Sequence, residues 1–157
     1  MTMGFYRIAK TFEVEYGHRL HQHPEKCRFL HGHRLRIEVV VRGTRLDDND
    51  MVCDYKALKM LVADLVGRLD HAMALSSDDP ELPRLAAIGE RVLLFPGQDP
   101  TTEVLARWLY EGIAGRLEAG RVVESPSCTA YAIPEGLRLE RVRVWETSTS
   151  WAEYLGD

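Results

Sequence analysis

The chain has 157 residues, of which 45% are hydrophobic and 28% are charged, and this size and balance predict one globular domain over residues 1–157. The formal net charge is −4, and the arginines are interleaved with acidic residues, which argues against a nucleic-acid-binding protein. No apolar run reaches the length of a signal peptide or of a membrane span. We therefore expect a cytoplasmic protein that binds neither nucleic acid nor membrane, and whose three cysteines need form no disulfide.

Two segments show the alternation of half-buried β-strands. In residues 8–18 the apolar side chains share one parity, and that parity ends on His18. In residues 31–41 one parity carries His31, His33 and then only apolar residues, while the other is largely charged. If the two strands pair as a hairpin across the loop 19–30, their inward faces meet.

Two helices are predicted in the middle of the chain. The first follows an Asp54 cap, repeats apolar residues at helical spacing and ends with Asp70 and His71. The second begins at a cap on Thr101 or Thr102 and carries a similar apolar stripe to about residue 120. We expect the second helix to pack beside the first.

The remaining segments complete the predicted sheet. Residues 72–99 are rich in Pro and Asp, which is typical of an elaborated loop, here with a short apolar or helical piece within it. Residues 122–133 and 137–145 are separated by Pro-Glu-Gly and predict a closing hairpin. The order β-β-α-α-β-β indicates an α+β fold in which two helices cover one face of an antiparallel four-stranded sheet. The uncovered face and the two edges of such a sheet favour a homo-oligomer.

The histidines predict a metal site at one end of the inward face. Positions i and i+2 of a strand project to the same face, so His31 and His33 lie together, and strand pairing adds His18. Three histidines with an open fourth position are typical of catalytic zinc, although nitrogen ligands also suit other transition metals. A lone histidine on an apolar face is more often a hydrogen-bonded core residue, but three at compatible positions are harder to explain in this way. His21 and His23 are interpreted as solvated loop residues.

Cys27 leaves two roles open. As a fourth ligand it would close the site and make the metal structural. Its position between Lys26 and Arg28 instead favours a thiolate that acts as a base or nucleophile. Cys53 and Cys128 are interpreted as small buried or part-buried residues.

Three further polar residues are candidates for the site. Asp70 and His71 lie at the predicted C-terminus of the first helix, where the dipole favours a protonated imidazole and the neighbouring carboxylate can orient the ring. Glu146 follows the apolar strand Val-Arg-Val-Trp, and by itself it is equally typical of a solvated strand end. None of these residues is diagnostic alone.

Six motifs in order along the chain resemble the 6-pyruvoyl-tetrahydropterin synthase and 6-carboxy-tetrahydropterin synthase family. They are GHRL (17–20), CRFLHGH (27–33), CDYKALK (53–59), LDH (69–71), PTTEVLARW (100–108) and WETSTSWAEY (145–154). The resemblance implies a tunnelling fold, in which trimers close a barrel of antiparallel strands and two trimers stack as a hexamer. It also implies active sites that lie between subunits.

The resemblance implies three groups of site residues. Those that bind zinc are His18, His31 and His33. Those that move protons are the general base Cys27 and the relay pair Asp70 and His71. Those that hold the pterin are Glu146, which anchors its guanidine-like edge, and the helpers Thr101, Thr102 and Glu103.

The spacing between Cys27 and the His-Gly-His motif resembles the queuosine-pathway branch of the family. The implied activity is that of a 6-carboxy-5,6,7,8-tetrahydropterin synthase, which converts 7,8-dihydroneopterin triphosphate and water to 6-carboxytetrahydropterin, acetaldehyde and triphosphate. Three alternatives stay open at this point: a 6-pyruvoyl-tetrahydropterin synthase, a non-catalytic zinc- or pterin-binding homologue, and a purely structural zinc site with Cys27 as a ligand.

Overall fold

A long β-hairpin is the base of the fold. The computed structural model describes residues 4–87, 91–118 and 120–156, and in it β1 (Tyr6–His18) pairs antiparallel with β2 (His31–Gly43) along its whole length. On β1 the even-numbered positions from Val14 to His18 are buried and the odd ones are more exposed, as the alternation predicted. The hairpin predicted across the loop 19–30 is thus confirmed.

The main sheet has six strands in the order β4-β3-β1-β2-β7-β8. The further elements are α1 (Tyr55–Gly67), β3 (Met73–Ser76), α2 (Leu82–Ala87), β4 (Val92–Phe95), α3 (Thr102–Ala114), β5 (Val122–Glu124), β6 (Ala130–Ala132), β7 (Arg138–Trp145) and β8 (Trp151–Tyr154). The four antiparallel strands are β1, β2, β7 and β8. β3 and β4 extend this sheet in parallel from the β1 edge.

Two predicted features of the sheet differ from the structure. Residues 72–99 are not simply a loop, because they contain β3, α2 and β4. These strands are only four residues each, too short for a clear alternation. The predicted closing hairpin is also wrong: β5 pairs with β6, whereas β7 lies between β2 and β8. β8 lay in residues 146–157, which the prediction left unassigned.

Both long helices begin where predicted and end earlier. The Asp54 side chain accepts a hydrogen bond from Lys56 N at 2.6 Å, and the Thr101 side chain accepts one from Val104 N at 3.3 Å, so each caps its helix. α1 ends at Gly67 and α3 at Ala114, where Gly115 follows. Asp70 and His71 therefore lie beyond α1 and not in its last turn, where the sequence pattern placed them.

One hydrophobic core lies between the sheet and the long helices. Its members include Leu35 and Ile37 from β2, Leu58 from α1, and Leu105 and Leu109 from α3, all fully buried. Burial of these apolar side chains holds the hairpin rigid beneath the helices. In the described part of the chain, no helix has the length and apolar character needed to cross a membrane.

Candidate metal centre and active site

Three histidines meet at the end of the β1–β2 hairpin. The strand register pairs His18 with His31 directly and places His33 opposite Tyr16. The ring centroids of the histidines are 4.5 Å apart for His18 and His31, 5.2 Å for His18 and His33, and 5.0 Å for His31 and His33. The structure therefore brings together all three predicted metal ligands.

Backbone carbonyls set the tautomers of two of these rings. His18 Nδ1 lies 3.0 Å from the carbonyl oxygen of Pro100, and His31 Nδ1 lies 2.7 Å from that of Phe29. A carbonyl oxygen only accepts hydrogen bonds, so each Nδ1 carries the proton and donates it. In the neutral ring this leaves the Nε2 lone pair free for a metal, the arrangement in which outer hydrogen bonds orient metal-bound histidines.

Glu146 joins the histidines as a fourth member of the cluster. Its Oε1 lies 3.2 Å from His18 Nε2 and 3.2 Å from His33 Nε2. One ligand atom from each of His18, His31, His33 and Glu146 lies within 4.8 Å of the others, which is close enough to surround one metal ion. Glu146 follows the last residue of β7, so β7 carries it to the end of the sheet where the hairpin ends. From the sequence its side chain was expected to anchor the pterin, and Glu146 also lines a groove together with Thr101 and Thr102.

The polar atoms of this cluster fit a divalent cation. His18 Nε2 and His31 Nε2 face each other at 3.0 Å, and with both Nδ1 atoms protonated neither Nε2 of the neutral rings has a proton to donate. His33 Nε2 is buried and has no hydrogen-bond partner among the described residues. Unpaired buried nitrogens are costly, and a metal ion bound to the three Nε2 atoms would satisfy them together. Three nitrogens and a carboxylate are a donor set that suits zinc and similar transition metals.

The electrostatics of the cluster favour the metal-binding protonation states. Burial lowers the pKa of His33, and the neighbouring His18 and His31 lower it further against the opposing effect of Glu146. The adjacent His18 ring lowers the pKa of Glu146 most, and the other histidines add to this effect against the opposing effect of burial. A neutral His33 and an ionised Glu146 are the forms that bind a metal.

A groove beside the cluster holds Cys27 and the predicted substrate-binding residues. It has a volume of about 260 Å³, and its walls include Cys27, Thr101, Thr102, Glu103 and Glu146. Cys27 lies in a single 3₁₀ turn, Lys26–Arg28, and Thr102 Oγ1 donates a hydrogen bond of 3.5 Å to Glu146 Oε2. Cys27 is outside the metal-competent cluster. This arrangement favours a cysteine beside the metal over a cysteine that closes the coordination sphere.

The loop 19–30 that carries Cys27 is tied to the segment 72–99. Asp99 accepts hydrogen bonds from His21 Nδ1 at 2.6 Å, His21 N at 3.2 Å and Gln22 N at 3.1 Å. Arg19 Nε lies 2.9 Å from the buried carboxylate of Asp79. His21 is therefore engaged by Asp99 and is not the solvated residue predicted from the sequence.

Asp70 and His71 form a pair, and His71 lines a different groove. His71 Nδ1 lies 3.1 Å from Asp70 Oδ2, and Asp70 Oδ1 accepts a hydrogen bond from Glu15 N at 3.2 Å. The hydrogen bond with His71 lowers the pKa of Asp70. The groove of His71 is also lined by His33 and Tyr16, whereas the Cys27 groove is lined by Glu146. The metal-competent cluster thus lies between the groove of His71 and the groove of Cys27.

Several residues at the site were not identified from the sequence. The carbonyl groups of Pro100 and Phe29 carry no side-chain signature at all. Asp99 precedes a Pro-Thr-Thr helix start, and an acidic residue beside such a cap was the one available clue.

The two other cysteines lie outside the metal-competent cluster. Burial raises the pKa of Cys53 to about 11, which agrees with a small core residue. Cys128, by contrast, is exposed in a turn, so its predicted burial is wrong.

Comparison with known proteins gives a consistent result over almost the whole chain. A family model described as 6-pyruvoyl tetrahydropterin synthase matches residues 7–157. The chain is 32% identical over 169 aligned positions to the 6-carboxy-5,6,7,8-tetrahydropterin synthase of Aquifex aeolicus (strain VF5), covering 95% of this chain and 97% of the relative. It is 28% identical to the protein of the same name from Rickettsia conorii, covering 78% and 96%.

Solved structures confirm the predicted tunnelling fold. An uncharacterized protein from Wolinella succinogenes superposes with a TM-score of 0.77 at 24% identity, over 98% of this chain and 99% of that one. The 6-pyruvoyl tetrahydropterin synthase of Caenorhabditis elegans superposes with a TM-score of 0.64 at 20% identity, over 99% and 98%. Identities this low establish the architecture only.

Proposed function

Since the chain belongs to the 6-pyruvoyl tetrahydropterin synthase family of lyases, we propose that it is a zinc-dependent 6-carboxy-5,6,7,8-tetrahydropterin synthase. The proposed reaction converts 7,8-dihydroneopterin triphosphate and water to 6-carboxytetrahydropterin, acetaldehyde and triphosphate. The observation that carries the proposal is the cluster of three histidines and Glu146 beside a groove that contains Cys27. The name shared by the relatives in Aquifex and Rickettsia supports the choice of product.

His18, His31 and His33 are the residues that would hold the zinc ion. When bound, the ion supplies Lewis-acid polarisation of hydroxyl oxygens on the substrate side chain. The carbonyl groups of Pro100 and Phe29 keep two of the rings in the tautomer that this role needs. The Glu146 carboxylate lies against Nε2 of His18 and of His33 and also lines the groove, so it connects the metal-competent cluster to the substrate.

Two carboxylates of the groove would hold the pterin, Glu146 as the anchor of its guanidine-like edge and Glu103 as a helper. A carboxylate can accept two parallel N–H donors from that edge. Glu146 Oε1 faces two histidines, and its Oε2 accepts a hydrogen bond from Thr102 on the groove wall. Glu103 lines the same groove from the first turn of α3, and the Thr101 cap fixes the start of this helix.

Cys27 would move the proton on the carbon beside the pterin ring, as a general base of the same groove. Asp70 would orient His71, which would shuttle a proton to or from the substrate side chain. His71 lines a different groove from Cys27, and this separation supports an active site completed by a second subunit. We propose that one domain over residues 1–157 assembles as a trimer or hexamer in the cytoplasm.

Product analysis of the metal-loaded protein tests the proposal. Zinc-loaded protein is incubated with 7,8-dihydroneopterin triphosphate, and the products are identified by mass spectrometry with a separate assay for acetaldehyde. Cys27→Ala is the informative variant, and Cys128→Ala is the matched control because Cys128 is exposed and outside the groove. Acetaldehyde and the carboxylated product are expected from wild type and the control, and neither is expected from Cys27→Ala.

Each other outcome contradicts a specific part of the proposal. A pyruvoyl product without acetaldehyde would make the protein a 6-pyruvoyl-tetrahydropterin synthase. Metal binding without turnover would indicate a binding homologue of the enzymes. Loss of zinc from Cys27→Ala would identify Cys27 as a ligand and not as the base.

A further inference from the structure

A row of three arginines crosses the sheet at the end of the hairpin that lies away from the histidines. The register pairs Arg7 with Arg42 across β1 and β2, and Arg42 with Arg138 across β2 and β7. Arg7 lies eleven residue steps from His18 on β1, which corresponds to about 35 Å along the strand. Like charges directly opposite each other destabilise a sheet, so an anion bound at this row would relieve the repulsion.

The described residues compensate only one of the three charges. Arg7 Nε lies 2.6 Å from Glu140 Oε1. Glu140 has no partner on β2, because the register shifts between Val40 and Val41. Among residues 4–87, 91–118 and 120–156, no carboxylate pairs with Arg42 or Arg138.

A cavity is lined by the two uncompensated arginines. It has a volume of about 270 Å³ and is lined by Phe5, Arg42, Gly43, Thr44, Gly136 and Arg138; we call it the arginine pocket. The Phe5 ring is 47% exposed and has the guanidinium carbon of Arg42 5.7 Å from its centroid. A side chain at Gly136 would be strained, because its φ is +77°. The pocket thus combines two cations, an aromatic surface and a glycine turn.

We propose that the arginine pocket binds a small phosphate ester whose phosphate lies between Arg42 and Arg138 and whose ring or other apolar group packs on Phe5. Guanidinium groups bind phosphate through pairs of N–H donors, and a dianion would neutralise the two unpaired charges. Inorganic phosphate would leave much of the cavity empty, so an ester with an apolar group fits it better. This pocket is separate from the metal-competent cluster and does not depend on the proposed reaction.

Calorimetric titration of the zinc-loaded protein with inorganic phosphate and with phenyl phosphate tests this proposal. At low ionic strength we expect one saturable site per chain, tighter for phenyl phosphate and weaker as salt is added. Arg42→Gln and Arg138→Gln should each weaken binding about tenfold or more, as expected for a lost hydrogen bond to a charged group. Arg121→Gln, which removes an exposed charge outside the pocket, should bind as wild type does. Phe5→Leu should remove the preference for phenyl phosphate.

Thermal melting separates a binding defect from a folding defect. Without anion at low ionic strength, Arg138→Gln should melt at or above the wild-type temperature, because a like-charge neighbour has been removed. Phosphate should then raise the melting temperature of wild type but not of this variant. Equal binding by wild type and both pocket variants would overturn the proposal, and so would an equal loss in Arg121→Gln or the absence of saturable binding at millimolar phosphate.

Discussion

At the scale of single residues, the metal-competent cluster depends on hydrogen bonds that the Nδ1 atoms of two of its histidines make. His18 donates from Nδ1 to Pro100 and His31 donates from Nδ1 to Phe29. These bonds turn each Nε2 towards the centre of the cluster and keep it unprotonated. Tyr16 OH lies 2.8 Å from His18 Nδ1 and adds a second polar neighbour to that nitrogen.

Replacement of one histidine should remove the metal and leave the fold intact. His31→Ala deletes a partly exposed member of the metal-competent cluster, so we expect zinc affinity to fall by more than the 10- to 100-fold that is typical of losing an outer hydrogen-bond partner. His23→Ala is the control, because His23 accepts a hydrogen bond only from Glu25 N within its own loop. Metal content by mass spectrometry and circular dichroism would test this. Full zinc affinity in His31→Ala would show that the metal binds elsewhere.

At the scale of elements, the segment between β3 and α3 positions the loop that carries Cys27. Asp99 binds the start of this loop, Pro100 orients a histidine, Thr101 caps α3 and Thr102 contacts Glu146. Four consecutive residues therefore connect the loop 19–30, the metal-competent cluster and the helix that lines the groove. These contacts hold Cys27 in a fixed position in the groove wall.

Removal of the Asp99 hydrogen bonds to the loop 19–30 should lower turnover without loss of bound metal. Asp99→Ala removes three hydrogen bonds to the loop, and a misplaced base typically costs up to about 100-fold in rate. We expect kcat to fall 10- to 100-fold while zinc content stays at the wild-type level. Asp99→Asn keeps an acceptor and should recover part of the rate, and Asp78→Ala in the same segment should have no effect. A parallel loss of zinc and activity in Asp99→Ala would contradict a positioning role.

A second link between elements joins the two long helices and predicts a pH effect. Arg116, just beyond α3, donates from Nη2 to Asp64 Oδ2 at 2.9 Å and from Nη1 to the Leu61 carbonyl at 3.0 Å. The hydrogen bond from Arg116 lowers the pKa of Asp64. Because the folded pKa lies below the unfolded value, this pair stabilises the protein above about pH 4 and loses its effect as the pH falls through the folded pKa.

Asp64→Asn should therefore destabilise the protein at pH 7 and progressively less below pH 4. The carboxylate is mostly exposed, so we expect a loss of only about 0.5 kcal/mol in the free energy of unfolding. Urea denaturation at several pH values measures the difference. Glu118→Gln, which removes an exposed charge, is the control, and a difference that grows on acidification would contradict the assignment.

At the scale of the whole molecule, each of the two edge strands of the described sheet has no partner strand along its outer side. β4 and β8 are the edges of the six-stranded sheet, and Trp151 on β8 is 49% exposed. Exposed edges are templates for pairing with another chain. We expect a native mass near 54 kDa or 107 kDa, three or six times the 17.9 kDa of one chain. Light scattering after gel filtration tests this expectation, and a monomer at micromolar concentration would contradict it.

The sequence by itself determined the features that depend on local periodicity and local chemistry. Strand parity places His18, His31 and His33 on one face, and the caps Asp54 and Thr101 begin the helices, because side-chain direction and capping act over two to four residues. Only the tertiary structure decided the rest. β3 forms by pairing with the distant β1 and carries β4 with it, Glu146 reaches the histidines because β7 pairs with β2, and Asp99 meets His21 across 78 residues of chain. These contacts depend on long-range packing and hydrogen bonding, for which no nearby residue carries a signal.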